Sequence, residues 1–144
     1  MNIFEALRKD HEIQRELLKK LVETSGDSRL RDNIFKSLKN ELETHANGEE
    51  RYFYKPLIDS DRTQEKARHS IAEHHEIDEL IEKLEETDYD SSAWLKIAKD
   101  LQEKVEHHLD EEEQEVFQMA GKVLSENNKG KLADKYEKFM EENR

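Results

Sequence analysis

The residues with the clearest capacity for chemistry are two histidine and glutamate pairs at a four-residue spacing, His45 with Glu49 and His108 with Glu112. In a helix, a four-residue step rises about 6 Å and nearly completes a turn, so the imidazole and the carboxylate project side by side. Two metal ions roughly 3.5–4 Å apart can share a carboxylate as a bridge, while imidazole nitrogens fill terminal positions. The two pairs therefore predict a two-metal site, with Glu49 and Glu112 suited to the bridging role.

Two more histidines lie on the apolar stripes of other segments. His11 follows Leu7 by four residues, and His74 falls between Ile71 and Ile77. A single histidine on such a stripe is more often a core residue with one hydrogen bond than a ligand. Without metal, four of them would leave several buried polar groups unpaired, each at a cost of about 1–3 kcal/mol or more. We therefore interpret the four histidines, one on each long helix, as metal ligands.

The third of these helices leaves two assignments open. A shift of one residue in register would exchange His74 with His75. Asp78 follows His74 by four residues and falls on the inner side by spacing. It is therefore either a further carboxylate ligand or an acid at the edge of the apolar stripe.

Other polar residues nearby are expected outside the ligand set. We expect rim or surface positions for three histidines, His69, His75 and His107. Three acids are expected to be solvated neighbours, Glu50, Glu111 and Glu113. Glu41 lies inward by spacing, but a solvated or supporting role is favoured over metal ligation. Gly48 weakens its helix by up to about 1 kcal/mol relative to alanine, which indicates close packing or ligand access beside the site, or local tolerance.

The elements that position these residues are helices, because apolar residues recur every three or four positions and never alternate as in a strand. The pattern predicts a single domain, residues 1–144, that is all-α: an antiparallel up-down-up-down four-helix bundle with a short C-terminal helix. The second bundle helix is expected to end at Pro56, whose ring and missing donor oppose continuation. The predicted bundle helices span about residues 3–23, 30–55, 63–86 and 92–120, and the C-terminal helix spans about 128–140.

Composition and charge exclude several functions. A net charge of -12 works against binding to nucleic acids or anionic membranes. No apolar run approaches the length of a membrane span, and charged residues follow Met1 closely, so we predict a cytoplasmic protein. The chain has no cysteine, which excludes thiolate zinc sites, iron–sulfur clusters and disulfides. Imidazole and carboxylate remain, and this donor set is compatible with iron, manganese or zinc.

The order of these motifs resembles the hemerythrin-like, HHE cation-binding family. The elements that carry the resemblance are Asp10-His11-Glu12, His45-x-x-x-Glu49-Glu50 before Phe53 and Pro56, Glu73-His74, and His107-His108-x-x-x-Glu112-Glu113 before Val116-Phe117. The resemblance implies an up-and-down bundle around two iron ions bridged by carboxylates and by an oxo or hydroxo group. The ligands that it implies are His11, His45, Glu49, His74, His108 and Glu112.

Two positions depart from the oxygen-carrying members of that family. Asp78 stands where the carriers have a further histidine, and Glu112 stands where they have the shorter aspartate. A carboxylate in place of an imidazole adds negative charge and favours ferric iron. We expect a protein that binds dioxygen or a related small molecule for sensing, storage or delivery. The sequence leaves open a di-iron oxidase, a peroxidase-like or nitric-oxide-handling enzyme, an iron-handling protein, and the oligomeric state.

Overall fold

The apolar positions that recur every three or four residues lie on helices in the computed structural model, which describes residues 1–144. The chain contains no strand, so the prediction of an all-α bundle is confirmed. The elements in order are α1 (Ile3–Val22), α2 (Arg29–Glu49), a first π-helical turn (Glu50–Tyr54), α3 (Lys55–Ile58), α4 (Gln64–Glu86), α5 (Ser92–Glu111), a second π-helical turn (Glu112–Val116), α6 (Phe117–Val123) and α7 (Glu126–Asn143).

Short polar side chains determine where several helices begin. The side-chain oxygens of Ser28, Ser91 and Ser125 accept hydrogen bonds from backbone N–H groups in the first turns of α2, α5 and α7. Asn2 does the same for α1, and Glu5 returns a bond to the backbone of Asn2, which completes a capping box. These bonds satisfy donors that have no partner within the helix.

Four long helical segments alternate in direction and enclose two separate apolar clusters. The first segment is α1, the second runs from α2 through α3, the third is α4, and the fourth runs from α5 through α6. The Phe53 cluster joins the start of α1, the end of the second segment, the start of α4, the end of the fourth segment and α7. Its aromatic members are Phe4, Phe53, Tyr54, Phe117 and Tyr136. The Trp94 cluster lies at the opposite end, with Leu18, Phe35, Leu38, Ile81 and Trp94 among its members. This alternation gives the predicted up-down-up-down topology. Because each helix confines its apolar residues to one stripe, none has the length and apolar content of a membrane span.

The second segment continues two residues beyond Pro56, where we predicted its end. A wide π-helical turn separates α2 from α3 and shifts the backbone hydrogen bonds by one residue. Pro56 therefore lies in the first turn of α3, where a missing N–H removes no helical hydrogen bond. The prediction of a helix end at Pro56 was wrong for this reason.

The C-terminal helix is longer than predicted and is part of the core. α7 packs against α1 and α2. Its residues Ala133, Tyr136 and Met140 are at most 2% exposed and belong to the Phe53 cluster. The approach of α7 to α2 is close at Gly48, where an added Cβ would lie 2.9 Å from Cδ1 of Phe139 and 3.1 Å from Cε1 of Tyr136.

We expect Gly48→Ala to destabilise the protein by about 1–3 kcal/mol, because the methyl group would force α7 away from α2. Gly130→Ala is the matched control, since nothing lies within 4 Å of the corresponding Cβ position. Alanine favours a helix by up to about 1 kcal/mol over glycine, so the control should be neutral or stabilised. Urea unfolding of both variants measures the difference, and equal stabilisation of the two would contradict close packing at Gly48.

Candidate metal centre

A layer of polar side chains separates the two apolar clusters. Each long segment of the bundle contributes at least one residue to it, and every contributor is at most 5% exposed. The residues are His11 from α1, His45 and Glu49 from α2, His74 from α4, His108 from α5, and Glu112 from the second π-helical turn. The structure thus brings together six of the seven residues that the sequence offered as ligands or possible ligands, and Asp78 is the exception.

The six residues form two sets that share both carboxylates. In the first set, Nε2 of His11 lies 3.0 Å from Oε1 of Glu112, and Nε2 of His45 lies 3.3 Å from Oε2 of Glu49. In the second set, Nε2 of His74 lies 3.2 Å from Oε1 of Glu49, and Nε2 of His108 lies 3.5 Å from Oε2 of Glu112. Each carboxylate therefore directs one oxygen toward each set.

These separations fit donor atoms that share a metal ion. Ligand atoms about 2.1 Å from one ion lie roughly 3.0–3.4 Å apart in octahedral or tetrahedral geometry. Within each set of four residues, one ligand atom per residue lies within 4.8 Å of all the others. Two histidine nitrogens and two carboxylate oxygens are thus available to each of two ions.

Six of these eight atoms have no hydrogen-bond partner. The buried atoms without one include Nε2 of three histidines and three of the four carboxylate oxygens: His11, His45, His108, both oxygens of Glu49, and Oε1 of Glu112. A buried polar group without a partner costs about 1–3 kcal/mol, and more when it is charged. Two bound cations would satisfy all of these atoms, so the residues fit a two-metal centre.

The opposite ring nitrogen of each histidine is held by a hydrogen bond. Nδ1 of His11 lies 2.6 Å from Glu113, Nδ1 of His74 lies 2.7 Å from Glu50, and Nδ1 of His108 lies 2.9 Å from Glu73. A carboxylate at Nδ1 fixes the tautomer that leaves Nε2 free to bind metal and makes that nitrogen a better donor. Glu50 and Glu113 were predicted to be solvated neighbours, and this prediction was wrong: each is directed at a histidine of the polar layer on another helix.

The fourth histidine has a different partner. Nδ1 of His45 lies 2.5 Å from the hydroxyl of Tyr136 in α7, and this hydroxyl donates to the Asp10 carboxylate at 2.5 Å. Glu41, for which a solvated or a supporting role was expected, is buried and accepts hydrogen bonds from Arg144. Sequence reasoning assigned no role to Tyr136, because nothing in the helical period relates it to the bundle helices.

The π-helical turns begin at or directly after the shared carboxylates. Each turn accommodates an extra residue, so Phe53 and Tyr54 both lie at 0% exposure on the inner side of one helix. The hydroxyl of Tyr54 donates to Oε2 of Glu112. Tyr54 was missed because a regular helix period places only Phe53 on the apolar stripe. Turns of this type are frequent at functional sites.

When metal is absent, the glutamates of the polar layer favour protonation of its histidines. Burial opposes a charge on His11, but its hydrogen bonds to Glu112, Glu113 and Glu49 outweigh this and raise its pKa well above the ordinary value. Burial likewise lowers the pKa of His74, and bonds to Glu49 and Glu50 raise it to about 10. Burial and the negative charge of Glu49 raise the pKa of Glu112. A metal ion must therefore displace protons from these histidines.

We expect the metal-free protein to lose stability as the pH rises from about 6.5 to about 10, because folding raises the pKa of His74 across this interval. Between these values the folded chain retains a proton that the unfolded chain releases, so stability falls with pH. The stabilisation that this proton provides is complete below about pH 6.5 and absent above about pH 10. Urea unfolding of chelator-treated protein at several pH values measures the slope, which His74→Gln should reduce. A stability that rises with pH in this interval would contradict the assignment.

The remaining predicted residues lie outside the two sets. Asp78 was predicted as a possible further ligand, but it is exposed and joins neither set. The buried position in that turn belongs to Ile77, and Asp78 lies about 100° further round the helix. His75 is exposed, so His74 is the inward residue of the adjacent pair. His69 and His107 are exposed at the surface, where each lies near Glu111.

A small cavity adjoins the polar layer. Its volume is about 20 Å³, and His45, His74 and His108 line it together with Gln14, Leu42, Ala46, Ile77 and Asp78. A volume of this size holds one water molecule or a ligand of similar size. Gln14 is 2% exposed, and its side-chain nitrogen has no hydrogen-bond partner. The cavity therefore offers a small ligand a space beside the histidines and a free N–H donor.

Comparisons with known proteins were consistent with this geometry. Residues 2–120 match the hemerythrin HHE cation binding domain. No curated protein matches the sequence. Among solved structures, a hemerythrin HHE cation binding domain-containing protein from Mycobacterium kansasii is similar, with a TM-score of 0.90 and 23% sequence identity over 99% of this chain and 87% of that chain. At this identity the structural similarity establishes a shared fold.

Proposed function

The chain belongs to the hemerythrin HHE cation-binding domain family, and from this membership we propose that its polar layer binds two iron ions and a small molecule such as dioxygen. The ligands in this proposal are His11, His45, Glu49, His74, His108 and Glu112. The function would be sensing, storage or delivery of that small molecule. Metal binding is the part of the proposal that the family and the buried cluster support together.

The observation that carries the proposal is the orientation of Glu49 and Glu112. Each lies between the two histidine pairs and directs one oxygen to each pair. A single metal ion would use only one oxygen of each carboxylate and would leave the second pair of histidines unpaired. Two ions use both oxygens, and a bridging carboxylate is the usual way in which a two-metal site shares a ligand.

Iron fits the proposed binding of a small molecule better than zinc does, because it can accept a further ligand beyond the four donors. Each set supplies four donor atoms without any thiolate. A closed structural zinc site is complete with four ligands, but iron in nitrogen and oxygen sites commonly accepts further ligands. Iron bound here would supply a redox-active position at which a small molecule can bind. The chain's own residues would exclude bulk water, orient the imidazoles and provide the Gln14 donor.

The first experiment is metal analysis of protein purified without added metal, followed by anaerobic reduction and exposure to air. We expect about two iron ions per chain and a visible absorption band that appears with dioxygen and disappears when it is removed. Protein that contains no metal after growth in iron-replete medium would contradict the proposal at its base. Two irons with no reversible spectral change would reject small-molecule carriage and retain the metal site.

A second function, that of a di-iron oxidase or peroxidase-like enzyme, is favoured by Tyr54. Burial and the charges of Glu112 and Glu49 raise the pKa of this phenol, so it retains its proton at neutral pH. Its hydroxyl lies against a shared carboxylate, where it could donate a proton to a reacting ligand. Consumption of dioxygen or peroxide through many turnovers, in place of a reversible band, would support this function.

We expect Gln14→Leu to increase the dissociation rate of the bound small molecule several-fold without changing the metal content. The substitution keeps the size of the side chain and removes a donor whose net contribution is about 0.5–1.5 kcal/mol, or roughly 2- to 10-fold in rate. Stopped-flow release measures the rate, and Gln118→Leu is the control because Gln118 is exposed. An unchanged rate would remove Gln14 from the ligand site.

A further inference from the structure

The hydrogen bonds at the four histidines are asymmetric. His11, His74 and His108 each direct Nδ1 at a glutamate. His45 alone directs Nδ1 at a neutral hydroxyl, that of Tyr136. Tyr136 belongs to α7, which lies beyond the residues 2–120 that the family model matches. The difference is therefore introduced by a part of the chain outside the family's matched region.

The asymmetry is clearest when two similar acid–histidine pairs of the sequence are compared. Asp10 precedes His11 as Glu73 precedes His74. Glu73 reaches across to Nδ1 of His108 at 2.9 Å. Asp10, which is shorter by one methylene group, lies 4.0 Å from Nδ1 of His45. Asp10 therefore falls short of the hydrogen bond that Glu73 makes in the other half.

The Tyr136 hydroxyl fills this gap. It lies 2.5 Å from Nδ1 of His45 and donates to Oδ2 of Asp10 at 2.5 Å. Since the hydroxyl proton goes to Asp10, the hydroxyl oxygen accepts the Nδ1 proton of His45, which leaves Nε2 free for metal. Asp10 is held in turn by Arg144, whose guanidinium lies 2.5 Å from Oδ1 and also binds Glu41. Asp10 and Tyr136 are 4% and 1% exposed, so bulk water does not compete with these bonds.

From these contacts we infer that Tyr136 is a positioning residue for His45 and that it makes the two metal positions unequal. The position formed by His11 and His45 is the weaker one, since an imidazole that donates to a neutral hydroxyl is a poorer metal donor than one that donates to a carboxylate. The inference rests on the proposed two-metal function and adds a role for α7. It also gives an order of loading, in which the His74 and His108 position fills first.

The experiment is stepwise removal of Co²⁺ from the fully loaded chain by a competing chelator. We expect two release steps in the unaltered protein. Tyr136→Phe should weaken one of the two ions by about 10- to 100-fold, the usual effect of losing a partner of a ligand histidine, and leave the other unchanged. Glu73→Gln should weaken the other ion, because it removes the negative charge from the partner of His108. The two substitutions together should weaken both ions.

A rescue variant distinguishes a positioning role of Tyr136 from a general loss of packing in Tyr136→Phe. In a Tyr136→Phe background, Asp10→Glu adds the methylene group that lets the carboxylate reach His45 directly, so we expect the lost affinity to return. Tyr52→Phe is the control for removal of a hydroxyl beside α7, because the Tyr52 ring packs against Phe139. Proton NMR of the Co²⁺ protein should show one shifted Nδ1–H signal that disappears in Tyr136→Phe and reappears in the double variant.

Several outcomes would overturn the inference. Equal affinity of the two ions, unchanged by Tyr136→Phe, would reject it and leave the proposed two-metal function standing. Failure of the unaltered chain to bind any Co²⁺ or iron would instead reject the function and the inference together. If Tyr136→Phe does not fold, Asp10→Asn tests the same contact, since it removes the charge that orients the hydroxyl. Retention of both ions at full affinity in that variant would also reject the inference.

Discussion

Replacing Glu49 with alanine should remove both metal ions from the chain, not one. Its two oxygens face different histidine pairs, at 3.3 Å from His45 and 3.2 Å from His74. Loss of this single side chain therefore takes one donor from each position and separates the two ions. Elemental analysis of the purified variant should give less than about a tenth of the normal metal content, since loss of one ligand weakens each site by well over the roughly 10- to 100-fold typical of outer partners.

The matched control for this variant is Glu111→Ala. Glu111 directly precedes the shared carboxylate Glu112 in the chain but is directed at the surface histidines His69 and His107. It carries the same charge as Glu49, so a general charge effect on metal uptake would appear in both variants. We expect full metal content in the control. A Glu49→Ala protein that keeps one firmly bound ion would contradict the bridging geometry.

Removing the metal from the unaltered protein should lower the midpoint of thermal unfolding by about 15–30 °C. A ligand present at a thousand times its dissociation constant stabilises the folded state by about 4 kcal/mol, so two ions supply about 8 kcal/mol. In a chain of this length each kcal/mol shifts the midpoint by roughly 2–4 °C. The structural reason is the layer of unpartnered nitrogens and oxygens between the two apolar clusters, which metal satisfies and water does not reach.

Calorimetry with and without a chelator measures this shift. Glu49→Ala supplies the control, because a protein that binds no metal should show no change when the chelator is added. The unaltered chain should recover its original midpoint when metal is restored. A shift below about 2 °C in the unaltered chain would mean that the buried carboxylates and histidines stabilise one another without metal.

Much of the fold and of the candidate site follows from helical period. The apolar stripes required four long helices, and the same period placed His45 and Glu49, or His108 and Glu112, on one buried side. The same period left Asp78 open between two roles, since a position can share the side of His74 by spacing and still lie past the buried edge, which Ile77 occupies. Spacing along one helix indicates the direction of a side chain around the helix axis only to within part of a turn.

The residues that sequence reasoning missed depend on contacts between helices. Glu50 and Glu113 lie about 100° from the ligand carboxylates on their own helices, and only the neighbouring helix shows that His74 and His11 reach them. Tyr54 is directed inward by a π-helical turn, which a regular period does not anticipate. The Glu-Glu pairs four residues after His45 and His108 were the available signal, since one acid of each pair is a candidate ligand and the other a candidate partner.

An anomalous difference map from crystals of metal-replete protein, recorded above and below the iron absorption edge, tests the two-metal centre most directly. We expect two peaks inside the bundle, roughly 3.5–4 Å apart, with Glu49 and Glu112 between them and one histidine pair at each. A single peak, or an interior with no peak while the six side chains remain buried, would contradict it.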